Sequence, residues 1–200
     1  MNQAVHLVNS ALQLGTRRDA HAMPVDVQAE VYTVHDTLEA EDLACLRATL
    51  DEATLSFYAT TCNMEDPEIT TLEITGTKGS ASRDSGKAVV RIEGKDEIVF
   101  DDPCDRDEIH KNFIACIRGE ADRLHAPAEE AVKATLAING AYSSAGQIKK
   151  IGWDAVEDIK SLILQASDER KLFSEMGADW AYEGQLIDMA DYEGFDGNLD

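Results

Sequence analysis

The stretch VDVQAEVYTV, residues 25–34, sets Val25, Val27, Ala29, Val31 and Thr33 on alternate positions with polar neighbours between most of them. That period of two is the pattern of a half-buried β-strand. Similar segments follow at DLACLRATL (42–50), ATLSFYATT (53–61), EITTLEITG (68–76), KAVVRIEG (87–94) and EIVF (97–100). The joints between them are short and acidic or Gly-containing. Such joints suit antiparallel hairpins, because parallel neighbours need crossovers of about a dozen residues or more.

The pattern is helical on either side of this run. Upstream, MNQAVHLVNSALQLG (1–15) places Ala4, Leu7, Val8, Ala11 and Leu12 on one apolar face, with Gly15 as a stop. Its other face carries Asn2, His6, Asn9 and Gln13 at steps of four, three and four: amides and an imidazole, and no full charge. Downstream, Asp105 and Glu108 form a capping-box pattern ahead of Ile109, Phe113 and Ile117. A further helix starts near Pro127, with Glu129 and Glu130 in its first turn and Ala131, Ala134, Ala137, Ala141 and Ala145 along one side. Asp154 and Glu157 read as another capping pair before Val156, Ile159 and Ile163. Strands gathered before helices predict an α+β fold: a mainly antiparallel open sheet with helices packed on one face, the other face left free for a second copy.

Composition narrows the function classes. The 200 residues are enough for one good core. With 44% hydrophobic and 28% charged residues, the chain reads as globular, and no apolar run approaches the ~20 residues of a membrane span. A formal net charge of −21 repels phosphate backbones and anionic lipid, so neither nucleic acid nor membrane is an expected partner. Cys45, Cys62, Cys104 and Cys116 include no close pair and are read as reduced thiols. The opening residues lack a basic start and a small-residue cleavage site, so a cytoplasmic location is expected. Beyond Lys171 there is no basic residue, while Trp180, Tyr182, Tyr192 and Phe195 stand among acids: a solvated tail, or an arm docking its aromatics on a partner.

Two segments invite chemistry and are read otherwise. DDPCDRDEIH (101–110) lacks the ligand spacing of a calcium loop or a zinc site and is taken as a turn plus helix cap with no metal expected, a metal site at Cys104, Asp107 and His110 being the weaker alternative. GTKGS (76–80) lies between strands rather than between a strand and a helix, so it is a turn and not a phosphate cradle. No Gly-x-Gly-x-x-Gly occurs.

In order, a His-bearing helix (NQAVHLVNSALQLG), a strand, an acidic step (EAEDLACLRATL), a strand pair, LEITGTKGSA, a helix with IHKNFIACIRG, and PAEEAVKATLAINGAYSSAGQ resemble the C-terminal half of the Gfo/Idh/MocA oxidoreductases over about residues 1–147. The resemblance implies a substrate-binding and dimerisation domain over 1–152, followed by a C-terminal helix and acidic tail over 153–200. It implies hydride transfer between a neutral sugar or polyol and NAD or NADP, with the dinucleotide held by a Rossmann domain that is not within these 200 residues. Activity is not expected from this chain alone. The family's Asp-x-x-x-His pattern aligns with Asn2 and His6, so His6 would exchange a proton with the substrate hydroxyl. An imidazole suits that task near neutral pH; the amide at position 2 can orient a partner but cannot ionise. Asn9 and Gln13 would complete a polar wall for substrate hydroxyls. A homodimer through the sheet and a separate Rossmann-domain partner are the implied assemblies. The alternative is a non-catalytic dimeric binding or scaffolding protein.

Overall fold

The structure, a computed structural model, describes residues 4–15, 23–62, 71–84, 86–101, 106–195 and 197, with the side chains of Ala4, His6 and Arg106 outside the description. In chain order the elements are α1 (Ala4–Leu14), β1 (Asp26–Thr33), β2 (Leu43–Thr49), β3 (Thr54–Thr60), β4 (Leu72–Gly76), β5 (Gly79–Arg83), β6 (Lys87–Ile92), β7 (Ile98–Asp101), α2 (Arg106–Ile117), α3 (Ala128–Ala145), β8 (Lys149–Lys150), α4 (Ile159–Glu169) and β9 (Ile187–Asp188). The class is α+β and the sheets are antiparallel apart from one short pairing, as expected.

The chain forms two compact units, residues 1–64 with 128–200, and residues 65–127. The first holds every fully buried described residue. Its sheet has the order β3-β2-β1-β8, with β9 also pairing β1. β1 runs antiparallel to β2 and β9 and parallel to β8, while β2 is antiparallel to β3. One face presents Val27, Ala29, Leu46 and Ala48 to Val8 and Leu12 of α1 and to Ala134, Ala137 and Ala141 of α3. The small residues of α3 let its backbone approach β1 closely, as the alanine spacing suggests.

The opposite face corrects an expectation. It is not free: Tyr32, Leu43 and Cys45 pack against Val156, Ile159, Ala166, Leu172 and Phe173, with Tyr58, Trp180 and Tyr182 alongside. The chain's own α4 and the segment after it cover this face. That covering explains why Ala29 to Thr33 are all buried rather than alternately so. The aromatics Trp180 and Tyr182 therefore dock in cis, edge-on to Tyr32 at centroid distances of 4.9 and 5.3 Å.

Between β8 and β9 the edge of β1 has no strand partner at Ala29 and Val31 among the described residues, yet both are fully buried. Buried backbone groups must be satisfied. Ala29 N–H donates to Ser144 Oγ at 2.7 Å and Val31 N–H to the Tyr182 hydroxyl at 3.1 Å. Gly184 closes the same edge so tightly that a Cβ there would lie 2.0 Å from the Ala29 carbonyl oxygen.

The second unit is a four-stranded antiparallel meander, β4-β5-β6-β7, together with α2. None of its described residues is fully buried. GTKGS is the tight β4–β5 turn, with Gly76 paired to Gly79, and a Cβ on Gly79 would sit 2.0 Å from the Arg91 carbonyl oxygen. The reading of 154–157 as a helix start is corrected: Trp153–Val156 form a 3-10 turn, and α4 begins at Ile159 with no side-chain cap from Asp158. The cap proposed at Asp105 lies outside the described residues.

Candidate functional site

α1 is a helix because its apolar residues recur at helical spacing; Val8 and Leu12 are buried on α3 and the sheet, and the Gly15 N–H closes the last turn on Ala11 O at 2.8 Å. The polar stripe lies away from that face. Asn9 is half-buried and Gln13 exposed, one turn apart on the same side. Gln13 Nε2 donates to Glu130 Oε2 at 2.7 Å, which ties the end of the stripe to the first turn of α3. His6 lies on the same helix, with its side chain outside the description, and Asn2 lies outside the described residues.

The sheet carries two polar clusters that sequence patterning missed. The first is a buried carboxylate. Glu30 projects to the covered face, where the hydroxyls of Tyr32 and Ser174 and the Ser174 N–H all donate to it, Tyr32 at 2.8 Å. Burial raises its pKa, and the Ser174 and Tyr32 hydrogen bonds only partly offset this. Burial and the adjacent Glu30 also push the Cys45 thiol well above its ordinary range. Nearby, Arg47 grips both Glu175 oxygens at 2.7 and 3.1 Å and donates to Gln28 Oε1 at 3.0 Å. Every member of this cluster ties the C-terminal segment to the sheet.

The second cluster lies at one end of the sheet. Asp42, just before β2, accepts the N–H groups of Val34 and His35 at 2.8 and 2.9 Å, and its Oδ2 lies 2.7 Å from His35 Nδ1. Burial works against the Asp42 charge, but the His35 and Val34 N–H groups and the His35 ring outweigh it and hold the carboxyl below its ordinary range. Cys62, two residues past β3, directs its thiol at the Asp42 carbonyl, and burial pushes that thiol up to about 11. Trp153 stands edge-on to the His35 ring at 4.6 Å. The signal in the sequence was topological: in an antiparallel run the end of β1, the start of β2 and the end of β3 meet.

A hollow of about 510 Å³ in the second unit is lined by Asn112, Ala121, Asp122, Arg123, Leu124 and His125. The Asn112 amide is spent on holding that loop, donating to Arg123 O at 3.0 Å and accepting the His125 N–H at 2.7 Å.

Among the solved structures similar to this chain are three determined with a nicotinamide cofactor. The WlbA dehydrogenase from Bordetella pertussis, solved with NADH and UDP-GlcNAcA, is 21% identical, with a TM-score of 0.53 over 72% of this chain and 41% of its own. Its counterpart from Chromobacterium violaceum, solved with the same two molecules, is 22% identical, with a TM-score of 0.54 over 72% of this chain and 43% of its own. An oxidoreductase from Agrobacterium radiobacter, solved with NAD⁺, L-tartaric acid and magnesium, is 16% identical, with a TM-score of 0.55 over 71% and 45%. Over that span the chain shares the fold of these oxidoreductases.

The chain spans less than half the length of each of those three proteins. No protein-family model matches the sequence, and no curated protein does. The Gly-Thr-Lys-Gly-Ser step at 76–80 is a hairpin turn between β4 and β5, with no helix N-terminus behind it to receive a pyrophosphate. No described helix is long and apolar enough to cross a membrane.

Proposed function

We propose that the chain is the substrate-binding and assembly part of an oxidoreductase that moves hydride between a sugar or polyol and NAD or NADP, the dinucleotide being held by a separate nucleotide-binding domain. The observation that carries this reading is the fold match over 71–72% of the chain to enzymes solved with NADH or NAD⁺. The uncharged polar stripe of α1 supports the substrate class, since hydroxyl groups are recognised by side chains that both donate and accept. In this reading His6 exchanges a proton with the substrate hydroxyl, while Asn2, Asn9 and Gln13 orient neighbouring hydroxyls. Gln13 would have to share its amide with Glu130. Isothermal titration of the chain with a panel of neutral sugars and polyols tests this: saturable binding that is lost in Asn9→Ala and His6→Ala supports it, and a panel without binding refutes it.

A second reading, a non-catalytic dimeric scaffold, draws on a different observation. Ile98, Val99 and Phe100 of β7 are all exposed, as are Ile109, Phe113 and Ile117 of α2, an apolar content that calls for a partner. With the large sheet covered on both faces, a homodimer through a sheet would use the β4–β7 meander. Sedimentation of wild type against Phe100→Ser and Val99→Ser tests it. A dimer that these changes split supports this route, and a wild-type monomer at high concentration excludes it.

A further inference from the structure

We infer that His35, Asp42 and Cys62 form a site for a single transition-metal ion of the zinc class, clipping together three strand ends. Their donor atoms, an imidazole nitrogen, a carboxylate oxygen and a thiol sulfur, all lie within 4.8 Å of one another. The fold brings them there: β1 ends at Thr33, β2 starts at Leu43 and β3 ends at Thr60, and antiparallel pairing puts those three ends side by side. The Asp42 side chain is 1% exposed and that of His35 34%, while Cys62 is buried. Solvent therefore reaches the cluster from the histidine side, where an ion would enter and a water could complete the coordination.

The donor set selects the metal. Sulfur and imidazole are poor ligands for calcium or magnesium, which take oxygen, whereas N, O and S together in a three-residue set with one open position are the pattern of zinc. The ligating carboxylate is already oriented. Of the three hydrogen bonds the Asp42 carboxylate accepts, two come from the Val34 and His35 backbone and can persist around a bound ion, as outer partners of metal ligands do. The third, from His35 Nδ1 at 2.7 Å, must give way, as must the Cys62 thiol contact with the Asp42 carbonyl. Two donors at about 2.0–2.1 Å from a tetrahedral zinc stand roughly 3.3 Å apart. The ring then shifts by well under an ångström, within reach of small side-chain rotations, and its Trp153 neighbour reports the movement.

The test is metal uptake by the full chain. Purified protein stripped by chelator and titrated with Zn²⁺ is expected to bind one ion per chain and to quench Trp153 fluorescence. With Co²⁺ as the probe, a thiolate-to-cobalt charge-transfer band is expected. Cys62→Ser should abolish that band, and both it and His35→Gln should weaken zinc binding by at least about 100-fold, since even outer partners cost 10–100-fold. Asp42 also holds backbone, so these two positions are chosen because neither is needed for the Val34 and His35 N–H contacts; circular dichroism confirms that the variants fold. Absence of stoichiometric zinc, or a cobalt spectrum and affinity unchanged by Cys62→Ser, overturns the site and assigns any uptake to the acidic surface.

Discussion

Replacing Tyr182 by Phe isolates a single oxygen atom at the gap in the β1 edge. That hydroxyl accepts the Val31 N–H at 3.1 Å and lies 3.0 Å from Gln147 O as a donor. The ring, packed against Tyr32 at 5.3 Å, is kept in the variant, so the apolar contact changes little. Losing the net hydrogen bond costs about 1 kcal/mol, and a Val31 N–H left unpaired in a fully buried position adds about 1–2 more. The expected loss is therefore about 2–3 kcal/mol. Near the lower figure, a chain of this size falls in Tm by about 4–8 °C. Urea unfolding followed by tryptophan fluorescence reads it well, because Trp153 and Trp180 both belong to the unit that contains β1. The midpoint should drop with the slope unchanged, and hydrogen exchange at the Val31 amide should accelerate. A change below about 0.5 kcal/mol, the level of an ordinary surface substitution, would refute the claim that the tyrosine hydroxyl stands in for a missing strand.

Three further outcomes follow from the same geometry. Gly184→Ala places a methyl group 2.0 Å from backbone that cannot step aside, so it should cost about 3 kcal/mol and loosen the C-terminal segment to protease, read by limited proteolysis and urea midpoint. Glu30 has a folded-state pKa raised above its ordinary value; its contribution is thus complete below the usual carboxylate range and is lost as pH rises through the raised value. Wild type should accordingly lose stability relative to Glu30→Gln as pH rises from the usual carboxylate range through the raised value, and a pH-independent difference in urea midpoint would contradict this. Cys45, fully buried with its thiol pKa raised, should resist iodoacetamide in the native protein and react only on unfolding, as peptide mass spectrometry can show.

What the sequence made legible was whatever one periodicity controls. β1, β2, β3, β6 and β7 follow alternation closely enough to be placed within a few residues, and α1 and α3 follow helical spacing. β5 was missed because Gly79–Arg83 (GSASR) carries no apolar pattern; its pairing is supplied by β4 and β6. β8 and β9, two residues each, offer no period at all. The covered second face stayed hidden for a different reason. Glu30 and Tyr32 read as solvent-facing because they are polar, and only the distant Phe173, Ser174 and Tyr182 turn them inward. The α1 stripe could be read as a face but not as a site, since Asn2 and the His6 side chain fall outside the described residues. The His35, Asp42 and Cys62 cluster depends on strand register, which pattern alone does not deliver.

The most direct measurement is a pair of NMR titrations of the isotope-labelled chain, one with a neutral sugar or polyol and one with NADH. If the chain is the substrate-binding part of a dehydrogenase, the amides of α1 around His6, Asn9 and Gln13 shift saturably with the hydroxylated compound while NADH alone leaves the spectrum unchanged. Saturable NADH binding with α1 unmoved by every sugar and polyol would contradict it.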